Sequence, residues 1–207
     1  FPGRAFEGKV AHAAGSLEYQ AWFGTLNVPA NALEVNGATL DNIDTKYVTG
    51  AQLFWHTPLE GLRVGATWLR TSIDFKLHLD PGTTAARIMA GRGPPTFDGK
   101  LVISQRPDTI ASASAEDTPE NWLFAAEYGR SYKHQISTLP AVLPAFDEEN
   151  ERFYAMATHR LASFLEVGAY YSVLFADVHD RGGHNAMKFP KPWYAWQRDA
   201  ALTFRFD

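Results

Sequence analysis

Cysteine is absent from the 207 residues, which excludes a disulfide framework and thiolate metal ligation. No uninterrupted run of about 18 apolar residues occurs, so no helix of this chain is expected to span a bilayer. The 19 Lys and Arg are outnumbered by 23 Asp and Glu, and no clustered basic face suggests nucleic acid as a partner. The opening Phe1-Pro2-Gly3-Arg4 has neither the basic start nor the apolar core of a signal peptide. It also lacks an initiating Met, and the segment is expected to begin inside a longer precursor. Helical periodicity is missing as well. Apolar positions seldom recur at i, i+3, i+4 and i+7, and Gly, Thr, Tyr, Trp and Phe dominate the periodic stretches.

What the chain does have is alternation. From Trp193 to Asp207 one set of positions reads Tyr194, Trp196, Arg198, Ala200, Leu202, Phe204, Phe206, and the intervening set is mostly polar or charged. Successive side chains of a strand point to opposite faces, so this is a strand with one apolar and one wet face. Counting such stretches predicts about nine strands, at 4–12, 16–27, 46–57, 62–79, 98–113, 121–135, 151–160, 164–178 and 193–207. Pro107 weakens the strand over 98–113, because proline cannot donate to a ladder. In 62–79 the apolar phase moves from Leu62, Val64, Ala66, Trp68 to Ile73, Phe75, Leu77, Leu79, and a bulge near Arg70 to Ser72 is expected to cause the switch. Connections alternate between short ones, at 13–15, 57–61, 114–121 and 161–163, and long ones, at 28–45, 80–98, 136–150 and 179–192. The expected fold is all-β: an antiparallel up-and-down meander over 1–207, forming part of a transmembrane β-barrel. A slightly negative mean hydropathy does not oppose this, since lumen residues and loops dilute a lipid face.

If the apolar phase faces lipid, alternation assigns to the lumen Glu18, Gln20, Lys46, Gln52, His56, Arg63, Thr67, Glu127, Lys133, Glu166, Gln197, Asp199, Thr203 and Arg205. Charged groups at membrane depth are tolerated where they face water or each other. The set reads either as a pore lining that sets ion preference or as a salt-bridged filling. Trp55, Trp122 and Phe164 fall at short-turn ends; Tyr47, Tyr132, Phe175, Tyr194 and Trp196 fall toward long-loop ends. Two aromatic belts at opposite strand ends are what the two bilayer interfaces select. Arg198 lies in the apolar phase, where its stem could snorkel to headgroups.

Signals for chemistry are thin. His179-Asp180-Arg181-Gly182-Gly183-His184 reads as a solvated turn before it reads as a metal loop. Asp41-Asn42-Ile43-Asp44 lacks the spacing of an EF-hand. Asp147-Glu148-Glu149 with Glu151 reads as a wet acidic tip, and Gly91-Arg92-Gly93-Pro94-Pro95 lacks the lysine of a phosphate loop. No catalytic set, metal site or cofactor is expected.

The phrases Thr49-Gly50-Ala51-Gln52-Leu53-Phe54-Trp55, Thr57-Pro58-Leu59-Glu60-Gly61-Leu62-Arg63-Val64-Gly65 and Trp196-Gln197-Arg198-Asp199-Ala200-Ala201-Leu202-Thr203-Phe204-Arg205-Phe206-Asp207 resemble Gram-negative outer-membrane porin-like proteins, broadly the phosphate-selective and general porins. The resemblance implies a bacterial outer-membrane channel for passive diffusion of small hydrophilic solutes or ions, with outer-membrane lipid around it and homo-oligomers, often trimers, as its assembly. About nine strands, no terminal aromatic and no signal sequence depart from a complete member of that group, so a central piece of a larger barrel is expected. Loop 80–98 with 99–106, or loop 28–45, is the expected constriction. The alternative from another class is a soluble lipocalin-like barrel binding an apolar ligand, with the apolar phase turned inward. A third is a plugged scaffold or adhesin, whose loops would carry aromatics such as Phe97, Phe146 and Phe189.

Overall fold

β-Branched and aromatic residues at alternate positions, bounded by Gly, Pro and Asn, leave these segments little choice but extended ladders. The computed structural model describes residues 3–25, 27–28, 34–35, 38–79, 91, 98–141, 143–186 and 191–206, with backbone only at 27, 28, 34, 35 and 38. Nine long antiparallel strands follow one another in space in chain order. They are β1 (Gly3–His12), β2 (Gly15–Gly24), β5 (Ala38–His56), β6 (Arg63–Leu79), β7 (Lys100–Asp117), β8 (Trp122–Ser137), β9 (Phe146–Ala162), β10 (Leu165–Phe175) and β11 (Trp196–Phe206). Two short strands, β3 (Asn27–Val28) and β4 (Glu34–Val35), pair back onto β5. The meander is as expected from the sequence. Among the described residues β1 pairs only with β2 and β11 only with β10, so the sheet is not closed.

Several boundaries differ from the sequence expectation, each for a local reason. β5 begins at Ala38 and β9 at Phe146, inside segments read as loops. The acidic run that suggested a wet tip is instead paired strand, because its members meet bases or phenols. Glu148 meets Lys133 at 2.9 Å, Glu149 meets Arg130 at 2.8 Å, and Asp147 takes a hydrogen bond from Tyr132 at 2.8 Å. Cross-strand pairs of this kind stabilise a ladder as hydrophobic ones do. At the other end, Trp193 and Tyr194 lie in a 3-10 turn over Pro192–Ala195, and β11 starts only at Trp196. Phe164 sits in the tight turn between β9 and β10, not in a strand.

β7 passes through Pro107 without ending, since that residue sits at a register shift where no ladder donor is required. The phase change in β6 has a different origin from the expected bulge. Register shifts place the extra residues on its neighbours, at Asp41 and Lys46 of β5 and at Arg106-Pro107 of β7, while β6 runs straight. Its alternation therefore continues, and the chemistry of the two faces exchanges beyond Thr71.

Candidate functional site: a charged face opposite an apolar band

Directly paired residues of antiparallel strands share a face, so the register divides the sheet into two sides. Rows such as Gln20–Gln52–Thr67–Ser112–Gly129–Arg152 define a polar face. Rows such as Tyr19–Leu53–Ala66–Ala113–Tyr128–Phe153 define an apolar one. The apolar face is the more exposed of the two: on β8 its Trp122, Phe124, Tyr128 and Tyr132 are exposed, while Leu123, Glu127, Ser131 and Lys133 opposite are half-buried. Away from the long-loop end no second layer covers either side among the described residues, and the difference is what curvature of the sheet around its polar face produces. Leu202, Phe204 and Phe206 are 75%, 65% and 72% exposed.

Every residue of the predicted lumen set except Lys46 falls on the polar face by register. They are brought together as ion pairs between neighbouring strands. Glu18 meets Lys9 at 2.7 Å and His56 at 3.3 Å, and Arg63 meets Glu116 at 3.0 Å. Glu127 meets Arg152 at 3.3 Å, and Glu166 lies 3.9 Å from Arg160 and opposite Arg205 in register. Gln52 donates to Thr67 at 3.2 Å, and Gln197 to Asp199 at 2.9 Å. Lys46 departs from the set. It is the bulged residue, and its ammonium lies 3.5 Å from Asp74 and 3.9 Å from Asp44, both in the apolar-face phase. Arg106, from the bulge on β7, bonds the same Asp74.

Sequence reasoning missed Lys9, Glu116, Arg152 and Arg160 as members of this face. Each is the register partner, or the diagonal neighbour, of a residue already assigned to it, a relation that only the pairing of the strands reveals. The polar face also carries Asp108, which pairs in register with Lys133 beside Glu148.

Aromatics lie flat over glycines on both faces. The Trp22 ring covers Gly50 and that of Phe54 covers Gly65, where an added Cβ would come within 2.5 and 2.6 Å of them. Two bulky side chains on the polar face are thereby folded against the sheet instead of projecting from it.

The long-loop end of the polar face is capped. Beyond Thr71 the unbroken alternation of β6 puts Leu77 and Leu79 on this face with Leu101 and Ile103 of β7. Leu139 and Leu143, from the connection between β8 and β9, pack onto them. The connection is tied by Thr138, whose amide reaches the Val102 carbonyl at 3.0 Å, and by the Ser137 hydroxyl, which donates to the Leu143 carbonyl at 2.7 Å. Residues 138–141 and Leu143 of segment 138–143 thus turn over the polar face. Of the expected constriction segments, 100–106 is strand, while 29–33 and 80–90 lie outside the described residues. Phe97 and Phe189 also lie outside them, and Phe146 opens β9.

The predicted interfacial aromatics take up two rows on or beside the apolar face. Trp55, Trp122 and Phe164 lie at the short-turn end, and the Trp55 indole donates to the Ala14 carbonyl at 2.9 Å. Tyr47, Tyr132, Phe175 and Trp196 lie on the apolar face toward the long-loop end, with Tyr194 in the adjoining turn. From Trp122 to Tyr132 β8 climbs about 33 Å at about 3.3 Å per residue, or about 25 Å along a normal tilted by about 40°. That is the height of the apolar band of an outer-membrane-type barrel.

The rows are slanted. Trp55 pairs across through Val64 and Ala115 to Ala126, which lies four residues along β8 from Trp122. Four residues over three strand steps is a slope of about 43° at about 3.3 Å per residue and about 4.8 Å per strand. Phe175 pairs through Glu151 to Arg130, two residues short of Tyr132 over two steps, a slope of about 35° in the same sense. Both lie near the tilt of roughly 35–45° of a transmembrane barrel, whereas Phe175 and Trp196 of the same row pair directly, with no offset.

In the loop between β10 and β11, the stretch His179 to His184, read as a solvated turn before a metal loop, is held by backbone amides on the Asp180 side chain. The amides of His184 and Asn185 each donate to the Asp180 carboxylate at 2.8 Å, and His179 lies 3.1 Å from Glu149. Those amides, Asn185 first and then His184, hold the Asp180 carboxyl below the usual range. A depressed pKa contributes stability that is present above the unfolded value of about 3.9 and lost as pH falls through the lower folded value. Amide exchange at His184 and Asn185 is therefore expected to stay protected at pH 5 and to lose protection only below about pH 4. Loss of protection already at pH 5 would refute this anchoring.

No family model, curated protein or solved structure matches this chain.

Proposed function

We propose that these strands are the wall of an outer-membrane channel that lets small hydrophilic solutes or ions diffuse passively. The carrying observation is the orientation of the two faces: an exposed apolar band of membrane height, bordered by aromatic rows at barrel tilt, backs a less exposed face lined with charge. A lipocalin-like interior requires the apolar phase on the enclosed side, which is the opposite arrangement. Open strand edges cannot stand in hydrocarbon, since each unpaired group costs several kcal/mol. Strands outside these 207 residues, or further copies of the chain, therefore complete the barrel on both sides, at β1 and β11. The oppositely charged neighbours on the polar face cancel at a distance, so ion selectivity is modest, and segment 138–143 narrows the mouth.

Single-channel recording in planar bilayers tests this. Arg63→Glu, which turns a neutral pair into two carboxylates with Glu116, is expected to shift selectivity toward cations. Lys46→Glu, on the other side of the sheet, is expected to change it little. Unaltered selectivity in both Arg63→Glu and Glu127→Lys would sink the lining assignment. A chain that stays monomeric and folded without detergent would sink the membrane reading altogether.

A further inference from the structure

The apolar face carries its basic residues asymmetrically. Among the described residues no Lys or Arg lies on its short-turn half, whereas Arg4, Arg70, Arg130 and Arg198 all lie toward the long-loop end. Arg130 is neutralised by Glu149, and Arg198 lies over the Trp196 ring at 4.8 Å. Arg70 is exposed and meets no carboxylate among the described residues. Its register partners on both sides are threonines, Thr49 of β5 and Thr109 of β7. Directly paired side chains have Cβ atoms about 4.5–5.5 Å apart, so two threonine side chains stand beside the Arg70 stem along one row. Tyr132 continues the row on β8.

A guanidinium without a carboxylate partner takes a phosphate oxyanion in bidentate fashion, and the two neighbouring hydroxyls add donors at the foot of the same row. The row lies just above Trp68 on β6, where the apolar band ends, and an arginine stem there reaches the headgroup level. Two further cations, Lys46 and Arg106, stand on the bulges beyond it and hold Asp74, which keeps that carboxylate from competing for Arg70.

We propose that Thr49, Arg70 and Thr109 bind the phosphate of a lipid headgroup in the leaflet on the long-loop side. This rests on the membrane reading above. The acids Asp147, Glu149 and Glu151 share that half of the face, so the headgroup assignment rests on Arg70 having no carboxylate partner at the edge of the apolar band and not on one-sided placement alone.

The test uses the full chain reconstituted in phosphatidylcholine vesicles containing trace spin-labelled phosphatidic acid or spin-labelled phosphatidylcholine, with the motionally restricted fraction read by electron spin resonance. Phosphatidic acid is expected to be preferred about fivefold, the factor for one basic residue at an anionic surface, and the preference to fall toward unity in Arg70→Gln. Thr49→Val with Thr109→Val, which keeps shape and charge, is expected to reduce it as well, and Arg70→Lys to retain part. Equal restriction of both lipids by the unmutated chain, or an unchanged preference in Arg70→Gln, would overturn the site while leaving the membrane reading in place. No restricted lipid of either kind would overturn both. Abolition of the preference by inorganic phosphate, with direct phosphate binding in neutral vesicles, would reassign the row to a free anion and overturn the lipid assignment.

Discussion

Ala113→Arg is expected to prevent stable insertion of the sheet into a bilayer, whereas Ser112→Arg, one residue away, is expected to be tolerated. Ala113 lies on the apolar face between Ala66 and Tyr128 in register, in the middle of the band. An arginine at the midplane of a lipid-facing strand costs about 2–4 kcal/mol, a factor of roughly 30 to 900 in the folding equilibrium. Ser112 lies on the polar face between Thr67 and Gly129, where an arginine meets water and carboxylates instead of acyl chains. Denaturant titration of both variants in lipid vesicles, followed by tryptophan fluorescence, reads the difference. Equal destabilisation by the two substitutions would show that the faces do not differ in solvent, and the membrane reading would fall with that result.

The second large effect is expected at the cap over the polar face. Leu101 and Leu79 are 3% and 4% exposed and hold Leu139 of the connection between β8 and β9. Leu101→Ala removes buried methyl groups and leaves a cavity, a change that typically costs about 2–5 kcal/mol. The cap is small, so the loss is expected to release segment 138–143 from the face before it unfolds the sheet. Limited proteolysis should then cut near Leu139, and single-channel conductance should rise. Cleavage elsewhere with unaltered conductance would mean that 138–143 does not narrow the mouth. Leu53→Ala, at an exposed position of the apolar face, is the control and is expected to leave both readouts unchanged.

Period-two alternation was legible from the residues alone. Trp55, Leu53 and Ala51 against His56, Gln52 and Gly50 settle which face each occupies without any partner strand, because the side-chain period of a strand is two. The meander order was legible too, since short turns such as 57–61 force neighbours to pair. What could not be read was pairing beyond the turns. Lys9, Glu116, Arg152 and Arg160 join the polar face only through register, and register depends on where bulges fall. The acidic run 147–149 read as a loop because its charges had no visible partners; Arg130, Lys133 and His134 supply them only when β8 lies alongside.

The strands, their two chemistries and the order in which they lie follow from local periodicity and turn length. Only the tertiary structure decided that β6 runs straight between two bulged neighbours, that Lys46 belongs with Asp74 and not with the polar face, and that Leu139 and Leu143 close over Leu79 and Leu101. Each of those depends on an extra residue in an adjacent strand or on a contact between segments far apart in the chain. A period of two describes one strand at a time, whereas a sheet is defined by the offsets between strands.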